Sequence, residues 1–161
     1  MSFIIHAGSY ASHLPWPNWA ELHLPDRDGQ NADLVNPGMI AAILKHLIAA
    51  WEPRWGGVVS LTYRRLRMPP QPNMTRAEIM RRPMRPLTLF RNPGWIVYLS
   101  EPYARLFAAP PSARIEQLPD GGIRASTTDD MFSSENPHDL AAADELGTAL
   151  ARLQADVRAS Q

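Results

Sequence analysis

The chain has 161 residues, with 16 basic and 16 acidic side chains, 45% hydrophobic residues and no cysteine. A chain of this length buries about 68–70% of its unfolded surface, so one domain spanning residues 1–161 can build a core without covalent staples. The lack of Cys excludes disulfides, thiolate nucleophiles and Cys-based zinc sites, and it suits a reducing compartment. The N-terminus, MSFIIHAGSY, has no basic region ahead of a long apolar run, so it does not read as a secretory signal. The longest mostly apolar stretch, Met39 to Trp51, contains Lys45 and His46 and falls short of the roughly 20 residues a membrane span needs. A soluble cytoplasmic protein is the expectation.

The balanced charge is unevenly distributed. Arg54 to Arg91 holds nine Arg against the single acid Glu78, whereas Ser112 to Gln161 holds nine acids against four Arg. Such blocks either form a charged partner surface or neutralise one another within the fold.

In chain order, Phe3 to Ala7 is a short apolar run ended by Gly8 and predicts a strand. Trp19 to Leu24 alternates well enough for a second, stopped by Pro25. Asn36-Pro37 opens a helix, because Asn accepts from orphan first-turn N–H groups and Pro gives up a donor that has no partner there. Met39, Ile40, Ile43, Leu44, Leu47, Ile48 and Trp51 give that helix one broad apolar face, and Pro53 ends it.

Gly56-Gly57 leads into Val58 to Tyr63, which is β-branched and aromatic enough for a strand. From Met68 to Pro93 there are six Pro in 26 residues. That density predicts a long Pro/Arg-rich surface loop, interrupted at most by two helical turns over Thr75 to Arg82. Trp95 to Ser100 is a continuous apolar run suited to a strand buried on both faces. Glu101 to Phe107 suits a helical turn. Ala113 to Leu118, Pro119-Asp120-Gly121-Gly122 and Ile123 to Thr127 form a hairpin.

Asn136-Pro137 opens the last helix. Its stripe of Ala143, Leu146, Leu150, Leu153 and Val157 predicts a second helix layer, with Asp139, Glu145, Arg152 and Asp156 mostly off it. The fold class is α+β, with a mixed or mainly antiparallel sheet packed against two main helices.

Chemistry-bearing motifs are scarce. The five His have neither H-x-x-x-H nor HExxH spacing, no Ser lies in a G-x-S-x-G context, and the two Gly-Gly pairs lack the spacing of a phosphate loop. No catalytic, cofactor-binding or metal-binding residue is assigned, and no cofactor is expected. The Arg-rich middle lacks interleaved aromatics for base stacking, so direct nucleic-acid binding is not expected either.

The densest acidic and hydroxylic stretch is Thr127 to Glu135. Capping and solvation are the plain reading of it, an acidic recognition surface built on Asp129, Asp130 and Glu135 is close behind, and catalysis by a small enzyme or action as an adaptor is the remaining alternative. A nuclease site there would want a nearby Lys, and the single Lys of the chain is Lys45.

Trp51-Glu-Pro-Arg-Trp55, Pro93-Gly-Trp-Ile-Val-Tyr-Leu-Ser100, Pro119-Asp-Gly-Gly122 and Phe132-Ser-Ser-Glu-Asn-Pro-His138 occur in an order that resembles the immunity protein 52 family of bacterial polymorphic toxin systems. The resemblance covers roughly Met39 to Leu153, whereas Met1 to Leu34 and the Pro-rich excursion depart from the pattern. It implies a non-enzymatic α+β protein kept in the producing cell's cytoplasm to bind and neutralise a cognate toxin; the chain itself is expected to be a monomer or small homo-oligomer. It further implies that the toxin is a restriction-endonuclease-fold nuclease of the kind often delivered by type VI secretion. An acidic surface can occupy the cationic groove of a DNase, which makes Asp129, Asp130 and Glu135 the candidate contact residues.

Overall fold

The computed structural model describes residues 3–9, 18–24, 36–67, 90 and 92–160, the first two stretches as backbone. Six strands form one sheet: β1 (Phe3–Ser9), β2 (Asn18–Leu24), β3 (Trp55–Ser60), β4 (Gly94–Leu99), β5 (Arg114–Gln117) and β6 (Ile123–Ser126). Their order is β2-β1-β3-β4-β6-β5, and every neighbouring pair is antiparallel. Among the described residues four helices accompany them: α1 (Pro37–Trp51), α2 (Leu61–Arg67), the single turn α3 (Glu101–Ala104) and α4 (Pro137–Ala159). The fold is α+β, as expected. The predicted Pro/Arg-rich loop and the turns over Thr75–Arg82 lie outside the described residues.

β4 occupies an interior position and is buried from Gly94 to Leu99, as its uninterrupted apolar run requires. Alternate residues of a strand point to opposite faces, and β4 divides its side chains accordingly. Ile96 and Tyr98 join Val58 and the α1 residues Ile40, Leu44 and Ile48. Val97 and Leu99 join Ile123, Ala125 and the α4 residues Leu146, Leu150, Leu153 and Val157. The two main helices therefore sit on opposite faces of the sheet, and the domain has three layers.

Both Asn-Pro devices cap as predicted. Asn36 Oδ1 accepts from Met39 N–H at 2.9 Å, and Asn136 Oδ1 accepts from His138 N–H at 3.0 Å. The predicted stripe of α4 is buried throughout. Asp139, expected mostly off the stripe, is also buried, because its carboxylate reaches back to accept from Ser133 N–H (2.8 Å) and Asn136 Nδ2 (3.2 Å). An acid in the first turn is favoured by the orphan N–H groups there. Trp51 departs in the other direction. It ends the apolar face of α1 but is 51% exposed.

The predicted strand Val58–Tyr63 stops at Ser60, and α2 begins at the next residue. Among the described residues the ladder runs out at this point on both sides, with Phe3 of β1 opposite Ser60 and Gly94 of β4 opposite Val59. A β-favouring composition without pairing partners has no reason to stay extended. The Ser60 hydroxyl accepts from Tyr63 N–H at 3.3 Å and helps turn the chain into the helix. Tyr63 is thereby carried inward, its ring edge-on to Phe132 at 5.8 Å. Gly94, at φ 80°, makes room for it, because a Cβ there would sit 2.4 Å from the Tyr63 ring.

Tyr63 also anchors the main polar tie between layers. Its hydroxyl donates to Asp144 Oδ1 of α4 and accepts from Asn92 Nδ2, both at 2.8 Å. Arg67 grips the same carboxylate in two-pronged fashion. Arg67 belongs to the basic block of the sequence and Asp144 to the acidic one, so part of the charge asymmetry is neutralised inside the fold.

A charged sheet face and two recesses beside the first helix

Helix α1 lies over β1 and β3, and the β6–β5 half of the same sheet face extends beyond it. By register, Ser126 and Arg124 of β6 share the face of Ile96 and Tyr98, and Arg114 and Glu116 of β5 continue that row. The opposite side of β6 is apolar and covered: Ile123 and Ala125 are buried under α4. β5 is exposed along its whole length. The hairpin thus buries one face of β6 and presents a charged face on the other, where Arg124 pairs with Glu116 at 2.6 Å and Arg114 pairs with Asp129.

Two recesses flank α1. One, of about 240 Å³, lies at its N-terminal end, between Gly38 and Ala41 on the helix and Arg124, Thr128 and Asp129 opposite. The other, of about 460 Å³, lies at its C-terminal end. It is walled by Ile48 and Pro53, by Tyr98 and Pro102, and by Leu118 and Pro119 of the hairpin turn. Glu52, Glu101, Asp120 and Lys45 also line it.

Local geometry fixes these groups. Glu52 caps α1 in the left-handed region (φ 44°, ψ 52°), with its N–H donating to Ile48 O. Asp120 is held by two bonds, accepting from Tyr98 Oη at 2.6 Å and from Gly122 N–H at 2.9 Å. Burial, followed by the carboxylates of Asp120 and Glu52, pushes the Tyr98 phenol well above its ordinary range. It stays a neutral donor to Asp120 at physiological pH. Glu101 is paired with Arg105 one turn along the chain.

Of the three acidic candidates, Asp129 lines the smaller recess and forms the ion pair with Arg114, both side chains being mostly exposed. Asp130 and Glu135 are exposed, and their backbone N–H groups donate to Thr128 Oγ1 and Ser133 Oγ. The segment between them is fixed from below. Trp95 Nε1 donates to Thr128 O at 3.3 Å, and Phe132 is fully buried. The three carboxylates therefore project from an anchored backbone, with Asp129 already partnered within the chain. The larger recess has no counterpart in the sequence reading. Its residues come from positions 45–53, 98–102 and 118–120, and only the fold joins them. Three of the four stretches that carry the family resemblance meet there, through Glu52 and Pro53, Tyr98 and Ser100, and Pro119 and Asp120.

Among the described residues, no group of three His, Cys, Asp or Glu is placed to hold a metal ion, and no helix is long and apolar enough to cross a membrane. An anchored, charged sheet face with an open recess at the end of a helix has the make-up of a recognition module. A model of the family Immunity protein 52 matches residues 1–155, and the chain belongs to that family. The match takes in Met1 to Leu34 and the Pro-rich excursion, which the sequence reading set outside the resemblance. No curated protein and no solved structure matches the chain. Membership implies an immunity role against a toxin, exercised through a toxin partner and without enzymatic turnover.

Proposed function

We propose that this chain is the cytoplasmic immunity protein of a restriction-endonuclease-fold DNase delivered by a type VI secretion system, and that it neutralises the toxin in a stoichiometric complex. The observation that carries this reading is the family match across residues 1–155. Its physical support is charge. A DNase must offer cationic groups to phosphates, and an acidic protein surface competes for those groups and accelerates encounter. Asp129, Asp130 and Glu135 supply such charges from an exposed, anchored segment.

The test is capture of the cognate nuclease domain that this reading requires to be encoded beside the gene. The triple variant Asp129→Lys, Asp130→Lys, Glu135→Lys slows association by roughly tenfold or more at low salt, and the difference shrinks as ionic strength rises. A folded triple variant that captures the nuclease at the parental rate removes these residues from the interface. Failure of the parent chain to form any complex removes the function.

A further inference from the structure

The larger recess is unassigned by the family relationship, and its composition is specific. Its walls are aliphatic and prolyl, from Ile48, Leu118, Pro53, Pro102 and Pro119, yet three carboxylates from three separate elements meet at it: Glu52 at the end of α1, Glu101 at the start of α3 and Asp120 in the hairpin turn. Among the described residues Lys45 is the one cation lining it. Asp120 accepts from Tyr98 Oη and Gly122 N–H and Glu101 pairs with Arg105, whereas Glu52 makes no hydrogen bond or ion pair through its carboxylate among the described residues. A neutral apolar ligand would take water from these acids and offer Glu52 no partner in exchange. A cation on an alkyl stem suits both halves: its stem lies along the apolar wall and its head meets acceptors arriving from several directions. The planar, weakly hydrated guanidinium with five donors fits that description better than the compact ammonium.

We propose that this recess is a socket for a cationic side chain, arginine before lysine, projected by the toxin partner. The inference rests on the reading that the chain captures a cationic nuclease. Such a toxin displays side chains of this kind wherever it would grip DNA. Trp51, exposed and immediately before Glu52, is of the residue type that anchors protein interfaces beside such a socket.

The probe is N-acetyl-arginine methylamide, titrated into the full-length chain and followed by backbone amide shifts, with the citrulline analogue as an uncharged isostere. Arginine binds roughly tenfold more tightly than citrulline, with the largest shifts at Glu52, Gly121 and Gly122. Glu52→Gln abolishes the preference while thermal unfolding shows that the variant remains folded. Equal binding of the two probes, absence of saturable shifts, or shifts centred elsewhere overturns the proposal. A second arm measures capture of the proposed cognate nuclease domain, which weakens roughly tenfold in the Glu52→Gln, Glu101→Gln double variant. An arginine preference in a chain that captures no nuclease leaves the socket standing and sinks the toxin reading. A nuclease held equally by parent and double variant overturns the socket as its docking site.

Discussion

Replacing Tyr63 with Phe removes the hydroxyl that links α2, Asn92 and α4, and the structure sets the size of the loss. The hydroxyl donates to a charged acceptor, Asp144 Oδ1, at 2.8 Å, an interaction of about 1.5–3 kcal/mol. Asp144 retains Arg67 and is 45% exposed, so water replaces part of what is lost. Asn92 Nδ2 keeps Ala143 O at 3.1 Å. The expected cost at pH 7 is about 1–2 kcal/mol, read from urea unfolding, at roughly 2–4 °C of melting temperature per kcal/mol for a chain of this size. Arg67→Ala breaks a pair of half-exposed, solvent-screened partners and costs less than Tyr63→Phe, despite its better-looking geometry.

The alkaline arm separates Tyr63 further. Burial first, and then Asp144, pushes its phenol from 10.0 up to about 12. Below pH 10 folded and unfolded chains both hold the proton, and the stabilisation is fully present. Between pH 10 and 12 the unfolded chain releases the proton while the folded chain keeps it, so stability falls and is spent once pH passes the folded value. Two units correspond to roughly 2–3 kcal/mol, discounted to about 1–2 kcal/mol for the solvent at Asp144. Tyr98, also raised, adds a loss starting from the same pH. Tyr63→Phe therefore flattens the fall above pH 10 without removing it. Parental stability at pH 7 with an unchanged alkaline slope, or an Arg67→Ala cost larger than that of Tyr63→Phe, would refute the reasoning.

Two substitutions act through the backbone. Glu52→Gly relieves a left-handed non-glycine residue, a strain of about 1–2 kcal/mol, offset by about 0.5–1 kcal/mol of extra unfolded-chain freedom. The net gain is about 0.5–1 kcal/mol and a melting temperature higher by about 1–4 °C, while the same change empties the socket of its unpaired carboxylate. A lower melting temperature contradicts the assignment. Gly94→Ala has the opposite sign. At φ 80° its Cβ meets the Tyr63 ring at 2.4 Å, so left-handed strain and overpacking together cost about 2–4 kcal/mol in urea unfolding. A variant within about 0.5 kcal/mol of the parent excludes that close approach.

Local rules carried most of the fold. The apolar run of β4, the two Asn-Pro caps, the 3–4 stepping of α4 and the Pro-Asp-Gly-Gly turn each depend on residues near one another in sequence, and each element lies where those residues predict it. The failures share a cause in long-range pairing. Ser60 ends β3 because, among the described residues, neither β1 nor β4 offers a ladder partner beyond it, Asp139 is buried because Ser133 and Asn136 offer it donors, and Trp51, the last residue of α1, is left exposed. The same holds for function. Asp129, Asp130 and Glu135 stand out as a contiguous run, yet Asp129 is partnered by Arg114 from across the hairpin. The larger recess, assembled from three distant stretches, shows in the sequence only as the turns and helix ends that frame it.

The central claim, neutralisation by stoichiometric embrace, is tested most directly by titrating the purified chain into a fixed amount of the proposed cognate nuclease domain and following cleavage of plasmid DNA. The account predicts a linear fall in cleavage to zero at a fixed molar ratio, with a complex of that composition recovered by size-exclusion chromatography. Cleavage that continues undiminished at excess chain, or that is abolished by a small fraction of an equivalent without a recoverable complex, contradicts it.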